Sequence, residues 1–339
     1  MKEILVLSRG PEDVDLISKN LHMKKVHENI RSVAPTIATV LLLGETGTGK
    51  GMTARLIHWH SQRFDKPFIE VHCGAIPDTL IESELFGHEK GAFTGADRKK
   101  PGKFEMAAGG TVFLDEIGTI TPSAQIKLLQ VLQDGVYSRV GGDAPLKADV
   151  RIIAATNADI ADLVQTGQFR KDLYYRLNVF PIKIPALRDR LEDLPGLIDV
   201  FLKKLNIKYG KKITGIHPLV MERFQRYDWP GNIRELENLL ERACILEQTA
   251  VLMPQSFPLD TMPDGDDSET GSDTRTPLSK ARQSAIDRFE QAYLTTLLGQ
   301  TRGRIDQAAA VAGVTPRQLN RLLKRHGVSK NMFKQTRDT

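Results

Sequence analysis

The run Gly44-Glu45-Thr46-Gly47-Thr48-Gly49-Lys50 follows the apolar stretch Thr39-Val40-Leu41-Leu42-Leu43. A buried strand ending in glycines and a lysine at this spacing is the pattern of a phosphate-binding loop. The glycines let successive backbone N–H groups converge, the following helix offers its positive end, and the lysine adds a full charge for β- and γ-phosphates. Helical spacing resumes through Met52, Leu56 and Ile57. Position 51 is Gly, where such loops commonly place a Ser or Thr on Mg²⁺. A metal must therefore be held by water, by Thr48 or by an acid further along. Thr111-Val112-Phe113-Leu114-Asp115-Glu116 is a second apolar strand, and it ends in two acids. Beside a phosphate loop this pair suggests hydrolysis, with Asp115 holding Mg²⁺ through its water shell and Glu116 polarising the attacking water.

A third buried strand, Arg151-Ile152-Ile153-Ala154-Ala155, ends in Thr156 and Asn157. These polar groups could reach a γ-phosphate or a nucleophilic water, and they equally suit a strand-terminating turn. Arg170 and Arg176 lie six apart in a helical segment. Arginine is suited to a developing phosphoryl charge, although pattern alone also fits surface ion pairing. Arg234 follows a Pro-Gly turn at the start of a helix, where it could fold onto nucleotide or pair with Glu237 or Asn238. The segment Gly91-Ala92-Phe93-Thr94-Gly95-Ala96 has neither helical nor strand period, so it reads as a mobile exposed loop. Small and charged neighbours leave Phe93 little to pack on, which suits a protein-contact point.

Near the C-terminus an alanine-rich helix, a turn at Gly313 and a Thr315-capped helix with Pro316 in its first turn make a helix-turn-helix. Leu319, Leu322 and Leu323 are expected to face inward. Arg317, Gln318, Asn320, Arg321, Lys324 and Arg325 are expected to face out, a set suited to base edges and phosphates. The charge agrees with this. Residues 280–339 carry 12 Lys and Arg against 4 Asp and Glu, leaving 35 against 38 for the rest of a chain whose net charge is +5.

The elements that must position these residues alternate between apolar strands (40–43, 68–71, 112–114, 151–155 and 179–184) and helices. That alternation indicates an α/β fold, a parallel sheet flanked by helices, with nucleotide at the carboxyl ends of the strands. A helix is expected over 21–38, and helices over 191–209, 218–227 and 232–248 form an all-helical subdomain. Two cysteines, Cys73 and Cys244, have no metal or redox spacing and fit a reducing cytoplasm. No run is long enough for a secretory signal or a membrane span. The expected organisation is a short leader (1–21), an α/β ATPase subdomain (22–185), a helical lid (186–257), a disordered acidic linker (258–277), a DNA-binding unit (278–330) and a tail (331–339).

With Glu82-Ser83-Glu84-Leu85-Phe86-Gly87, the intact GAFTGA run at 91–96 and Trp229-Pro230-Gly231-Asn232-Ile233-Arg234-Glu235-Leu236, the chain resembles the sigma-54-dependent transcriptional activators, the bacterial enhancer-binding proteins of the AAA+ superfamily. The match runs from about residue 22 to 330. The resemblance implies an AAA+ fold with a lid and a Fis-type helix-turn-helix that grips enhancer double-stranded DNA as a dimer. It implies a homo-oligomeric ring, typically a hexamer, that hydrolyses ATP and drives the 91–96 loop against sigma-54 RNA polymerase, remodelling a closed promoter complex into an open one. By position Lys50 is the Walker A lysine, Asp115 and Glu116 the Walker B pair, Thr156 and Asn157 sensor I, Arg170 and Arg176 trans-acting fingers, and Arg234 sensor II. Phe93 and Thr94 match the residues that touch sigma-54, and residues 134–147 a second substrate-facing loop.

Three departures accompany it. Relatives usually have Glu at Gly51, and Asn at His72, where that Asn bonds the catalytic Glu; His72 could substitute as a donor. Many relatives also begin with a receiver or ligand-sensing module, which about twenty residues cannot hold. Control is then expected from a separate regulatory protein, from expression level, or from a part of the protein outside this chain. Two competing readings are a non-enzymatic DNA-binding repressor with a vestigial ATPase fold, and another AAA+ machine such as an unfoldase. The retained catalytic residues argue against the first; the 91–96 loop and the helix-turn-helix argue against the second.

Overall fold

In the computed structural model, residues 18–257, 294, 297, 301 and 304–325 are described. The expected leader up to residue 17, the acidic linker at 258–277 and the tail lie outside them. The chain divides into two compact units at residue 265.

In the first unit, Val40–Leu43 (β1), Phe68–His72 (β2), Thr111–Asp115 (β3), Arg151–Thr156 (β4) and Phe180–Lys183 (β5) form a parallel sheet in the order β2-β3-β4-β1-β5. The three central strands are almost wholly buried, as strands covered on both faces must be. The outer strands are only partly buried, and Pro181, which has no N–H to give a ladder, sits in the edge strand β5.

Period-two alternation divides each strand between two cores. Leu41, Val112, Leu114, Ile152 and Ala154 face helices Asp78–Phe86, Pro122–Asp134 and Lys171–Leu177. Val40, Leu42, Phe113, Ile153 and Ala155 face helices Leu21–Val33 (α1) and Lys50–Trp59 (α2). In α2 the inward face is Ala54, Leu56 and Ile57, whereas Met52, expected there, is exposed. Helix α1 ends at Val33 instead of continuing to residue 38. Pro35 cannot supply the next helical N–H, and the buried Arg151 guanidinium takes the carbonyls of Ala34 (2.6 Å) and Val33 (2.8 Å).

The lid consists of Leu194–Tyr209 (α3), Pro218–Arg226 (α4) and Asn232–Leu246 (α5) around a separate core. Residues 191–193, expected to open α3, belong instead to a tighter 3₁₀ segment over 187–193 broken by the non-helical Arg190. Trp229 is fully buried, meets the Phe224 ring edge-on at 5.0 Å and donates from its indole N–H to the Phe224 carbonyl (2.9 Å). In the second unit, Ile305–Val311 (α6) and Pro316–Arg325 (α7) pack through Ala308, Ala309, Leu319 and Leu323 across a turn at Gly313. Leu322 is only partly buried.

The end of the lid is closed by one carboxylate. Glu247 is buried and accepts from the amides of Met253 (2.9 Å), Thr249 (3.0 Å) and Gln248 (3.0 Å), and from the hydroxyls of Thr249 and Ser256. The Met253 and Thr249 amides hold its pKa down at about 2, against an ordinary 4.5. A depressed carboxylate pKa gives stability that is complete above the ordinary value and lost as the pH falls toward the folded one. Glu247→Gln is therefore expected to cost about 1–3 kcal/mol near neutrality. It should also flatten the acid limb between pH 4.5 and about 2. Denaturant unfolding across pH checks both, and a variant indistinguishable from wild type refutes the assignment.

Candidate active site

The strand register sets the site. Leu43 pairs with Thr156 across β1 and β4, and His72 pairs with Asp115 across β2 and β3. The phosphate loop, Thr156-Asn157, Asp115-Glu116 and His72 thus emerge at one edge of the sheet. Sequence-predicted residues from four segments meet there.

The loop is shaped by positive φ at Gly44 (159°), Gly47 (80°) and Gly49 (102°). At Gly47 a Cβ would lie 2.2 Å from the Gly231 carbonyl oxygen, so the lid backbone itself demands glycine. Among the described residues no hydrogen bond takes up the amides of Glu45, Thr46, Gly47 or Gly49. Four unspent N–H groups at the start of a helix fit a phosphate chain. Lys50 is buried and donates to the carbonyls of Gly44 (2.8 Å) and Glu45 (3.0 Å). Burial lowers its pKa, while Asp115 and Glu116 pull the other way.

Thr48 is not poised for a metal. Its side chain is buried and its hydroxyl donates to the Glu45 carbonyl (2.8 Å). Among the described residues no three His, Cys, Asp or Glu side chains converge on a metal position. A divalent ion would therefore rest on phosphate oxygens and water, with Asp115 the carboxylate at hand, in the manner usual for Mg²⁺. Gly51 is open: a Cβ there would meet Glu70 at 3.6 Å and Phe113 at 3.9 Å, ordinary contacts, and Glu70 is itself paired with Arg55.

Asp115 accepts the Glu116 amide (3.0 Å) and faces His72, whose Nδ1 lies 3.2 Å from Asp115 Oδ2 and whose Nε2 lies 4.0 Å from Glu116 Oε1. His72 thus stands between both carboxylates. Glu116 adopts a left-handed backbone (φ 56°), and its carboxylate fills the space a Cβ on Gly74 would occupy. Asn157 donates to the Thr46 hydroxyl (3.0 Å), whereas Thr156 is buried in the strand-ending turn, accepting from the Ala158 amide. Thr156 thus takes the strand-terminating part, and Asn157 is exposed beside the phosphate loop.

Arg234 stands beside the loop on a cavity of about 440 Å³ bordered by Thr46, Gly231 and Asn238. It makes no ion pair among the described residues, and Glu237 is taken by Lys204. Arg170 and Arg176 contact none of these groups. They are exposed on the helix Lys171–Leu177 and at its N-cap, and Arg170 is held in a two-pronged pair by Asp172 (3.0 and 2.6 Å).

The 91–96 segment is an exposed loop, as expected, and two turn hydrogen bonds close it. Gly91 N–H bonds the Ala96 carbonyl (2.9 Å) and Ala96 N–H bonds that of Phe93 (3.0 Å). Ala96 is buried, while Gly91, Phe93, Thr94 and Gly95 are exposed and Ala92 is half-buried. Phe93 does find a partner, the edge of the His88 ring at 5.0 Å. Helix α7 exposes Arg317, Gln318, Asn320, Arg321, Lys324 and Arg325, but Gln318 is partly committed: its side-chain oxygen accepts the Thr315 amide and hydroxyl in a helix cap.

Sequence reasoning missed the residues behind the loop: Arg188, Arg190 and Asn232. Arg188 pairs with Glu45, and Asn232 reaches both Glu45 and the Thr46 carbonyl. Only the position of Asn232 within the Trp-Pro-Gly-Asn run could have drawn attention to it.

Two family models match the chain, the sigma-54 interaction domain over residues 16–183 and the AAA+ ATPase lid domain over 188–274. The nitrogen fixation protein AnfA of Azotobacter vinelandii is 41% identical over 94% of this chain and 58% of its own length. The transcriptional regulatory protein ZraR of Salmonella typhimurium is 43% identical over 91% of this chain and 68% of its own. The chain thus spans little more than half of AnfA. NtrX from Brucella abortus, crystallised in complex with ADP, superposes with a TM-score of 0.69 at 36% identity, covering 94% of this chain and 71% of that one. Among the described residues no helix is long and apolar enough to cross a membrane.

Gly47→Ala is expected to destabilise by about 1–3 kcal/mol, because it adds both backbone strain and a clash with Gly231. Gly51→Ala should hold stability or raise it by up to about 1 kcal/mol, since it improves a helix without a clash. Denaturation midpoints of the two variants decide this; equal midpoints contradict the loop geometry.

Proposed function

The chain belongs to the family of sigma-54-dependent transcriptional regulators, built on the AAA+ fold, and from that premise we propose that it is an ATP-driven activator of sigma-54 RNA polymerase. In this reading it acts in the cytoplasm as a homo-oligomeric ring, a hexamer, on enhancer DNA held by helix α7 and its dimer mate. The observation that carries it is the gathering of the unspent loop amides, Lys50, Asp115 and Glu116 at one sheet edge, in a domain that also bears the 91–96 turn. NtrX, bound to ADP, supports the choice of an adenine nucleotide.

The loop amides and Lys50 hold the β- and γ-phosphates. Mg²⁺ would supply charge neutralisation across those phosphates, with Asp115 facing it through water. Glu116 orients and polarises the attacking water, and Asn157 sits on the loop side of it, within reach of the γ-phosphate. His72, between the two acids, donates to whichever carboxylate leaves the water. Arg234 approaches from the lid, and Arg170 and Arg176 complete the site of a neighbouring protomer. Phe93 and Thr94 touch sigma-54, and hydrolysis moves that contact.

Glu116→Gln should bind ATP yet turn over at least about 10²-fold more slowly, within the range of a lost general base. Arg170→Ala should lose on the order of 10³-fold, and wild-type turnover should rise cooperatively with protein concentration. Thr94→Ala should keep ATPase activity but fail to form the complex with sigma-54 trapped by ADP–metal fluoride. Full turnover in Glu116→Gln contradicts the enzyme, and normal trapping by Thr94→Ala contradicts the contact.

A further inference from the structure

The face of the phosphate loop turned away from its free amides is bonded almost residue by residue. Lys50 holds the Gly44 carbonyl, and Lys50 with Thr48 holds that of Glu45. The next three carbonyls are held by the lid and its connection: Thr46 by the Asn232 amide (3.1 Å), Gly47 by the Ile233 N–H (3.0 Å) and Thr48 by the Arg190 guanidinium (3.0 Å). Glu45 adds a charged tie, taking Arg188 Nη1 (2.9 Å) and Asn232 Nδ2 (3.2 Å) on its carboxylate. Asn232 is fully buried in a left-handed conformation (φ 53°), and its side-chain oxygen accepts the Leu187 amide (2.7 Å). Arg190 is buried at a break in the connecting segment.

Planarity makes this arrangement matter. In a trans peptide the carbonyl of one residue and the N–H of the next lie in one plane and point in opposite directions. Bonding the Thr46 carbonyl therefore aims the Gly47 N–H, and bonding the Thr48 carbonyl aims the Gly49 N–H. Both are amides left without an acceptor among the described residues. The other two free amides, Glu45 and Thr46, are aimed from within the loop by Lys50 and Thr48.

We propose that the lid aims the phosphate-binding amides: Asn232 and Arg190 are positioning residues that set the Gly47 and Gly49 peptide planes, and Glu45–Arg188 is the clasp that keeps them seated. This rests on the nucleotide reading above and adds a direction to it. Lid displacement turns the peptides and loosens the phosphates, and by linkage phosphate occupancy holds the lid down.

The test is equilibrium dialysis of ATP and of AMP, which lacks the β- and γ-phosphates, against the full chain. Asn232→Gly keeps the backbone conformation and removes the amide; Arg188→Ala alters a half-exposed side chain and spares the core. Each is expected to weaken ATP about tenfold, the middle of the range for directly coupled groups, and to leave AMP within about twofold. Glu45→Gln should match Arg188→Ala, and the double variant should be no worse than either, as partners in one tie must be. Equal weakening of ATP and AMP would mean only a damaged fold and overturns the proposal, as does unchanged ATP affinity. Lys50→Ala separates the two levels. If it abolishes the preference for ATP while the lid variants do not, the lid proposal alone falls. If wild type shows no such preference, the nucleotide reading falls with it.

Discussion

Everything at the site depends on parallel register. Antiparallel strands would scatter their ends over two edges; five parallel strands deliver Leu43, His72, Asp115 and Thr156 to one. The cost of that topology is long helical crossovers, and the two flanking cores offset it by burying both sheet faces. A carboxylate pair, an ammonium and a row of free amides can then share a small volume without any one element bending to reach the others.

The same closeness creates an electrostatic problem that the fold solves locally. Two acids stand side by side at the end of β3, and Lys50 and His72 supply positive or donor character on either side. Burial works against the Lys50 charge, and the two acids work for it. Glu116 accepts a left-handed backbone, a strained state for a side chain of its size, and leans into the space left by Gly74. Strain of this kind is tolerable because the strand behind it is held on both sides by the sheet.

The fold was largely legible in the residues because its signals are local: apolar runs closed by polar ends, a glycine–lysine loop, helical spacing in the lid. Failures came where distant partners decide. Helix α1 stops early partly because Arg151, 117 residues away, takes a carbonyl at its end. Phe93 looked friendless in its own segment, yet His88 turns back to meet it through a bridge to residue 100. Arg188 and Asn232 meet Glu45 across 143 and 187 residues, a relation no spacing rule carries. Gln318 was assigned outward correctly, but half of its hydrogen-bonding capacity goes to its own helix cap.

Strand β5 closes one side of the sheet with Pro181 in its exposed row. An incoming strand from another copy would find a missing donor and a ring where it needs a flat ladder. Backbone pairing along this edge is thereby disfavoured, and whatever meets β5 there meets side chains in place of a continuous row of donors.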